Sequence, residues 1–243
     1  MVHRAAAAGF ARSVEAYERA RPEYPQEAIA WVAGELDLRG GRDRSTVVDL
    51  AAGTGKLSRP LAALGCEVIA IEPVAEMRAA IGPGIRAFDG TAEHMPLPDG
   101  SADVVTVAQA FHWFDGPRAL AEIERVLRPG GALALLWNRR PVESSELHAA
   151  ISEIIKPYQG DAPRHASGAW REAFAGRDLE ERVFPFSQRL DADGLADRVG
   201  STSFIAALDD DDHAKVLERV RALVHEDSVD VPYICEVHIW RPS

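Results

Sequence analysis

Asp49, Gly53, Gly55 and Glu72 are the residues whose types and spacing most directly imply chemistry. They share one stretch, VVDLAAGTGKLSRPLAALGCEVIAIEP, from Val47 to Pro73. It reads as a buried strand, a glycine turn, a helix, a second buried strand and then an acid. Glycines placed directly after a strand admit positive φ and let a ligand lie on bare backbone. The acid at the next strand end, Glu72, is placed to accept hydrogen bonds from a ribose diol. The pattern predicts a nucleoside-containing cofactor. A dinucleotide fingerprint would need a third glycine, G-x-G-x-x-G, and Ser58 stands in its place. The close helix packing that a pyrophosphate exploits is then lost, so a cofactor without phosphate is expected.

Other candidates lie outside this stretch. His112 follows a predicted strand at the carboxyl edge of the sheet, where open α/β folds bind ligands. A histidine titrates near neutrality, which makes His112 the candidate general base, with Trp113 beside it as pocket wall. Asn138, at the end of the fifth strand, is a candidate polar pocket residue. Tyr17, Arg21 and Tyr24 surround the segment RPEYP, where Arg21 is placed to clamp a carboxylate. Asp103, just before a strand, reads as structural. His148, His165, His213, His225 and His238 show no mutual spacing of a metal site, so no metal is expected. Cys66 and Cys235 read as reduced, buried thiols, which suits the cytoplasm.

The elements that must position these residues follow from hydrophobic period. Phe10 to Arg19 has helical spacing until the prolines of RPEYP break it. A second helix is expected over Gln26–Leu36. From Thr46 strands and helices alternate. The expected strands are Val47–Leu50, Glu67–Ile71, Ile85–Phe88, Val104–Ala108 and Ala132–Trp137, apolar throughout as parallel strands buried on both faces should be. Leu57–Leu64, Val74–Ile81 and Arg118–Leu127 are the expected helices between them, the last ended by RPGG. Further on, Ser144–Ile155 and Asp212–Val224 read as helices, and Glu181–Leu190 and Pro232–Trp240 as strands. This alternation predicts a doubly wound, mostly parallel α/β sheet.

Composition narrows the classes. The 243 residues carry 27 Lys+Arg against 38 Asp+Glu, a net charge of −11. Phosphate-backbone binding needs a cationic surface, so nucleic acid is disfavoured as a partner. No apolar run reaches the roughly 18 residues needed to cross a bilayer, so no membrane is expected. Neither a secretory nor a transit segment is read at the start.

The strand-end acid followed by spaced glycines resembles the first motif of class I S-adenosylmethionine-dependent methyltransferases. AQAFHWFD (Ala108 to Asp115) and RVLRPGGALALLWN (Arg125 to Asn138) resemble the small-molecule branch often called the methyltransferase type 11 group. YERARPEYP and the C-terminal SFIAAL, VPY pattern are similar to members related to trans-aconitate methyltransferase. The resemblance implies a seven-stranded Rossmann-like methyltransferase sheet as one domain. Residues 1–45 would be a helical lid, 46–140 the cofactor core, 141–230 cap elements and a strand, and 231–243 a closing strand. It implies S-adenosyl-L-methionine as cofactor, with Asp49, Ala51, Gly53, Thr54 and Gly55 at the methionine end. Glu72 would hold the ribose, Thr91, Ala92 and Glu93 would bracket adenine, and Pro73 and Gln109 would complete the cofactor-binding set. The family often has glycine at the position of Ala51 and an acid at that of Thr91. The expected activity is methyl transfer to a small-molecule acceptor, on a carboxylate or hydroxyl oxygen, by a monomer or homodimer. A protein- or RNA-directed methyltransferase, a non-catalytic cofactor-binding protein and a nicotinamide-dependent dehydrogenase are the alternatives.

Overall fold

The computed structural model describes residues 18–41, 43–160 and 165–242. Tyr17 and most of the helix expected over Phe10–Arg19 lie outside them. The first complete element is α1 (Gln26–Glu35). The alternating core follows, in the order β1 (Thr46–Leu50), α2 (Ser58–Ala63), β2 (Glu67–Ile71), α3 (Ala75–Ala79), β3 (Arg86–Phe88), β4 (Ala102–Ala108), α4 (Gly116–Val126) and β5 (Leu127–Arg139). The second half holds α5 (Glu146–Ile155), β6 (Glu180–Leu190), α6 (Ala192–Gly200), α7 (Ser203–Ala206), α8 (Asp210–Arg221) and β7 (Val229–Trp240).

The seven strands form one sheet in the order β3-β2-β1-β4-β5-β7-β6. All pairings among β1 to β5 are parallel, and β7 runs antiparallel to both β5 and β6. The order reverses between β1 and β4, so the carboxyl ends of these two strands flank the crevice where ligands of doubly wound folds bind.

Side-chain alternation of period two divides the core into two layers. On β5, Leu133, Leu135 and Trp137 join one layer with α4. Ala132, Ala134 and Leu136 face the other, where α1, α2 and the β7 residues Cys235, Val237 and Ile239 pack. A separate cap core gathers Ile151, Ile154 and Ile155 of α5, Leu195 and Val199 of α6, Val216 and Val220 of α8, and Tyr233 of β7. Caps act at the helix starts: Asp115, Ser145 and Asp209 side chains accept from Arg118, His148 and Asp212 N–H. Each satisfies a donor that the first helical turn leaves open.

Two differences from the sequence reading have physical causes. β5 begins at Leu127, not Ala132, because Leu127 pairs with Ala102 across a register shift that RPGG accommodates, with Gly130 at φ 81°. Asp103 fixes this end of the sheet, accepting from Thr46 N–H at 2.7 Å and pairing with Arg128 at 2.7 Å. The second difference is α6, which carries glycines at positions 194 and 200 and no strong helical signal. Its reason is packing: a Cβ on Gly200 would meet Leu217 Cδ2 of α8 at 2.9 Å. No described helix is long and apolar enough to cross a membrane.

Candidate active site

The turn after β1 is left-handed at three of five positions: Ala51 (φ 56°), Gly53 (φ 58°) and Gly55 (φ 84°). Gln109, just past β4, is the other non-glycine residue of the crevice with positive φ, at 61°. The turn is held by two buried carboxylates from the strands beneath it. Asp49 is 0% exposed, and its oxygens accept the hydroxyls of Ser58 and Thr106, the latter at 3.0 Å. Burial pushes its carboxyl up to about 6 against the opposing pull of those hydroxyls, with the Glu72 charge adding to the rise. Asp49 therefore sits under the turn and positions it, and does not line the crevice.

Glu72 is 4% exposed at the end of β2. One oxygen accepts Gly53 N–H at 2.8 Å and the other accepts Val74 N–H at 2.9 Å. Burial raises its carboxyl above the usual range, although these two N–H groups and Arg78 oppose the rise. Each carboxylate oxygen has two acceptor sites, so both retain one for a ligand diol. A Cβ on Gly53 would meet nothing nearer than Met77 Sδ at 4.0 Å. Bare backbone at Gly53 and the strand-end carboxylate bonded to it fit the methionine and ribose portions of S-adenosylmethionine.

An open cleft of about 490 Å³ lies over the turn. Of the residues expected at the site, Ala51, Gly53, Thr54, Gln109, Arg21, Tyr24 and Asn138 line it. Lys56 and Arg198 are additional cationic lining residues. Lys56 directly follows the glycine turn, a positional signal that was available. Arg198 belongs to α6, whose helix itself gave no clear pattern. Arg21 donates to Ser201 Oγ at 3.0 Å and Ser201 O at 2.7 Å, which joins the segment before α1 to the cap. Asn138 Nδ2 donates to Glu23 O at 3.2 Å, while its buried Oδ1 has no partner. Arg198 is 6% exposed and donates from Nε to Tyr233 Oη at 3.0 Å.

Other expected site residues lie off this cleft. Gly55, Glu72 and Pro73 flank it without lining it, and Thr91, Ala92 and Glu93 belong to a bridged loop in which Thr91 pairs with His94. Burial would raise the Glu93 carboxyl, but hydrogen bonds from Asp115 N–H and the Thr91 hydroxyl bring it below the usual range. His112 and Trp113 form a 3₁₀ turn with ring centroids 5.1 Å apart. Burial, and then the neighbouring His165, lower His112 to about 4. An imidazole with so weak a basicity is neutral at pH 7 but a poor proton acceptor, contrary to the base role expected for it.

Comparison with known proteins converges on one family. The family described as "Methyltransferase domain" matches residues 48–135. An uncharacterized methyltransferase of Mycobacterium tuberculosis is 39% identical over 93% of this chain and 92% of its own length. A methyltransferase-like protein of Schizosaccharomyces pombe is 37% identical over 85% of this chain and 82% of its own. Among solved structures, one from Anaeromyxobacter dehalogenans, provisionally described as a type II methyltransferase, superposes with a TM-score of 0.67 at 24% identity. That match covers 91% of this chain and 97% of the other, and it supports the fold alone. The turn over Asp49, the glutamate one strand away and the reversal of strand order now have a common explanation: the chain belongs to the class I S-adenosylmethionine-dependent methyltransferases and is an enzyme of that family.

Proposed function

We propose that the enzyme methylates a small anionic acceptor on oxygen, a carboxylate in preference to a hydroxyl. S-adenosylmethionine, once bound, supplies an electrophilic sulfonium methyl. Ala51 to Thr54 would hold its methionine portion and Glu72 its ribose. What the protein must add is orientation, which is worth as much as ~7–11 kcal/mol of such a barrier.

The observation that carries the reading is the charge of the cleft. Arg21, Lys56 and Arg198 line it, Lys56 being paired with Glu23 at 2.6 Å, and among the described residues no His, Asp, Glu or Cys does. An unionised hydroxyl would need a base to remove its proton, and His112 is off the cleft and weakly basic. A carboxylate arrives already ionised. Arg198 makes no ion pair with a carboxylate among the described residues, and neither does Arg140, the residue following β5. Burial, then the charges of Arg198 and Arg21, lower Arg140 to about 10, with only the Tyr233 phenol opposing. Unpaired cations withdrawn from water are costly, so an anionic ligand is favoured beside them. They lie toward β5 and β7, on the opposite side of β1 from Glu72, which leaves them on the acceptor side of the cofactor.

The test is S-adenosylhomocysteine formation across matched carboxylate, hydroxyl and amine compounds, with Arg198→Met in parallel. Carboxylates are expected to turn over. Arg198→Met is expected to raise their KM at least about tenfold, from loss of a charge-assisted contact, while cofactor affinity by calorimetry stays within about twofold. Turnover confined to hydroxyls or amines sinks the carboxylate reading, and a loss of cofactor affinity would move Arg198 to the methionine end.

A further inference from the structure

The layer shared with α4 contains a second polar cluster that methyl transfer does not use. On β7, Glu236 and His238 are two residues apart and therefore share a face. Their partners across the antiparallel pairing are Trp137 and Leu135 of β5. His165 approaches the same place from a short 3₁₀ turn, its ring 4.4 Å from that of Trp137. One ligand atom from each of His165, Glu236 and His238 lies within 4.8 Å of the other two. His165 Nε2 and Glu236 Oε2 are 3.4 Å apart.

The hydrogen bonding within this cluster is incomplete. His238 is 0% exposed, yet neither ring nitrogen has a hydrogen-bond partner, and His165 Nε2 also lacks one. Buried polar atoms are normally satisfied, so His165 Nε2 and a nitrogen of His238, both unpartnered beside the Glu236 carboxylate, call for a ligand. Their surroundings suit a cation. Arg139 Nε binds Glu236 Oε1 at 2.6 Å and leaves Oε2, the oxygen nearer His165, available. Glu181 Oε2 lies 3.4 Å from His238 Nδ1. A carboxylate behind the outer nitrogen of a histidine fixes the tautomer whose inner nitrogen is free to ligate. Arg171 pairs with Glu181 at 3.0 Å, so the two acids and two arginines around the histidines balance in charge.

We propose that His165, Glu236 and His238 form a three-ligand site for a divalent transition-metal ion of the zinc class. Two imidazoles and one carboxylate suit zinc, nickel or cobalt rather than magnesium or calcium. Ligands at ~2.0–2.1 Å in a tetrahedral array stand roughly 3.3 Å apart. The His165–Glu236 separation already has that value, and His238 has to close in from within 4.8 Å. The bound ion ties the turn that carries His165, and Trp170 after it, to β7. It is a staple distinct from the cofactor cleft, which none of the three residues lines.

The test uses the full chain without a histidine tag, dialysed against Zn²⁺ and analysed for bound metal, alongside His165→Ala, Glu236→Gln and an exposed-histidine control, His225→Ala. Wild type and His225→Ala are expected to retain one ion per chain and to melt at higher temperature with Zn²⁺ than without. His165→Ala and Glu236→Gln are expected to bind at least about tenfold more weakly and to lose that shift. Co²⁺ should give visible ligand-field bands in wild type that are absent from both variants. Far-ultraviolet circular dichroism of the metal-free proteins checks folding, and either variant alone suffices if the other misfolds. Unchanged binding in a folded variant, equal loss in His225→Ala, or no retained ion in wild type would overturn the site.

Discussion

Two carboxylates under one turn show how a single residue's surroundings decide its task. Asp49 and Glu72 were both legible as site residues from spacing. Their division of labour was not, because it depends on what covers each one. Strand parity puts Asp49 on the face of Val47, where the Ser58 and Thr106 hydroxyls enclose it. Glu72, at a strand end, spends one acceptor site of each oxygen on a backbone N–H and retains the other. The Asp49 carboxyl is pushed up to about 6 by burial, above the usual ~3.9. Because the folded value is the higher, the folded state binds this proton more tightly than the unfolded state does. The resulting stabilisation is complete below pH ~4 and is lost as pH rises through about 6. Near neutrality the ionised group costs up to ~3 kcal/mol, from about two units at ~1.36 kcal/mol each. Asp49→Asn removes the titration and keeps a side chain that the two hydroxyls can bond. It is expected to be ~1–3 kcal/mol more stable than wild type at pH 7.5 by urea unfolding, with the gain shrinking toward pH 5. A variant less stable at pH 7.5 would show that the ionised form is the better partner for those hydroxyls.

At the scale of elements, the glycine turn is more strained than its glycines alone require. Ala51 holds φ 56° and Gln109 φ 61° at the ends of the adjacent strands β1 and β4, and both line the cleft. A non-glycine residue in the left-handed region costs roughly 1–2 kcal/mol, and such strain collects where a ligand must meet backbone. The rarity of alanine at position 51 was visible in the sequence, whereas Gln109 gave no local sign because its φ is imposed by the pairing of Gln109 N–H with Leu136 O at 2.8 Å. Ala51→Gly relieves the strain but frees the unfolded chain by ~0.5–1 kcal/mol, so a net gain of up to ~1 kcal/mol is expected. The neighbour Ala52, which has no positive φ, serves as the control: Ala52→Gly should lose ~0.5–1 kcal/mol. Equal losses at both positions by thermal unfolding would mean that the turn stores no strain at residue 51. The core strands and α4 were readable because apolar runs and caps act locally. In contrast, α6 was not, since its Gly200 answers to α8, a neighbour distant in sequence.

For the molecule as a whole, the segment before α1 bridges the two halves that form the cleft. On the cofactor side Glu18 bonds the Thr54 hydroxyl and pairs with Arg59, and Glu23 pairs with Lys56 at 2.6 Å. On the cap side Arg19 pairs with Asp197 at 2.6 Å, and Arg21 holds Ser201. Gln188 of β6 also donates to Ala20 O at 3.3 Å. These are mostly side-chain contacts, several of them exposed, and exposed ion pairs contribute only ~0–1 kcal/mol each. The segment is therefore held by many weak links and a small apolar footing of Ala20, Pro22 and Tyr24, above a sheet held by a continuous core. Weakly held segments open at far lower free energy than core strands do. Opening here would uncover Ala51 to Thr54 and admit the cofactor, and a ligand bound beneath the strap favours its closed form by mass action. Amide exchange read by mass spectrometry should show residues 18–25 and 195–203 exchanging rapidly in the free protein and at least about tenfold more slowly with S-adenosylhomocysteine. Exchange in β4 and β5 should be slow in both states. Equal protection of 18–25 with and without ligand would make the strap a fixed wall, and entry would then have to occur between α6 and the end of β5.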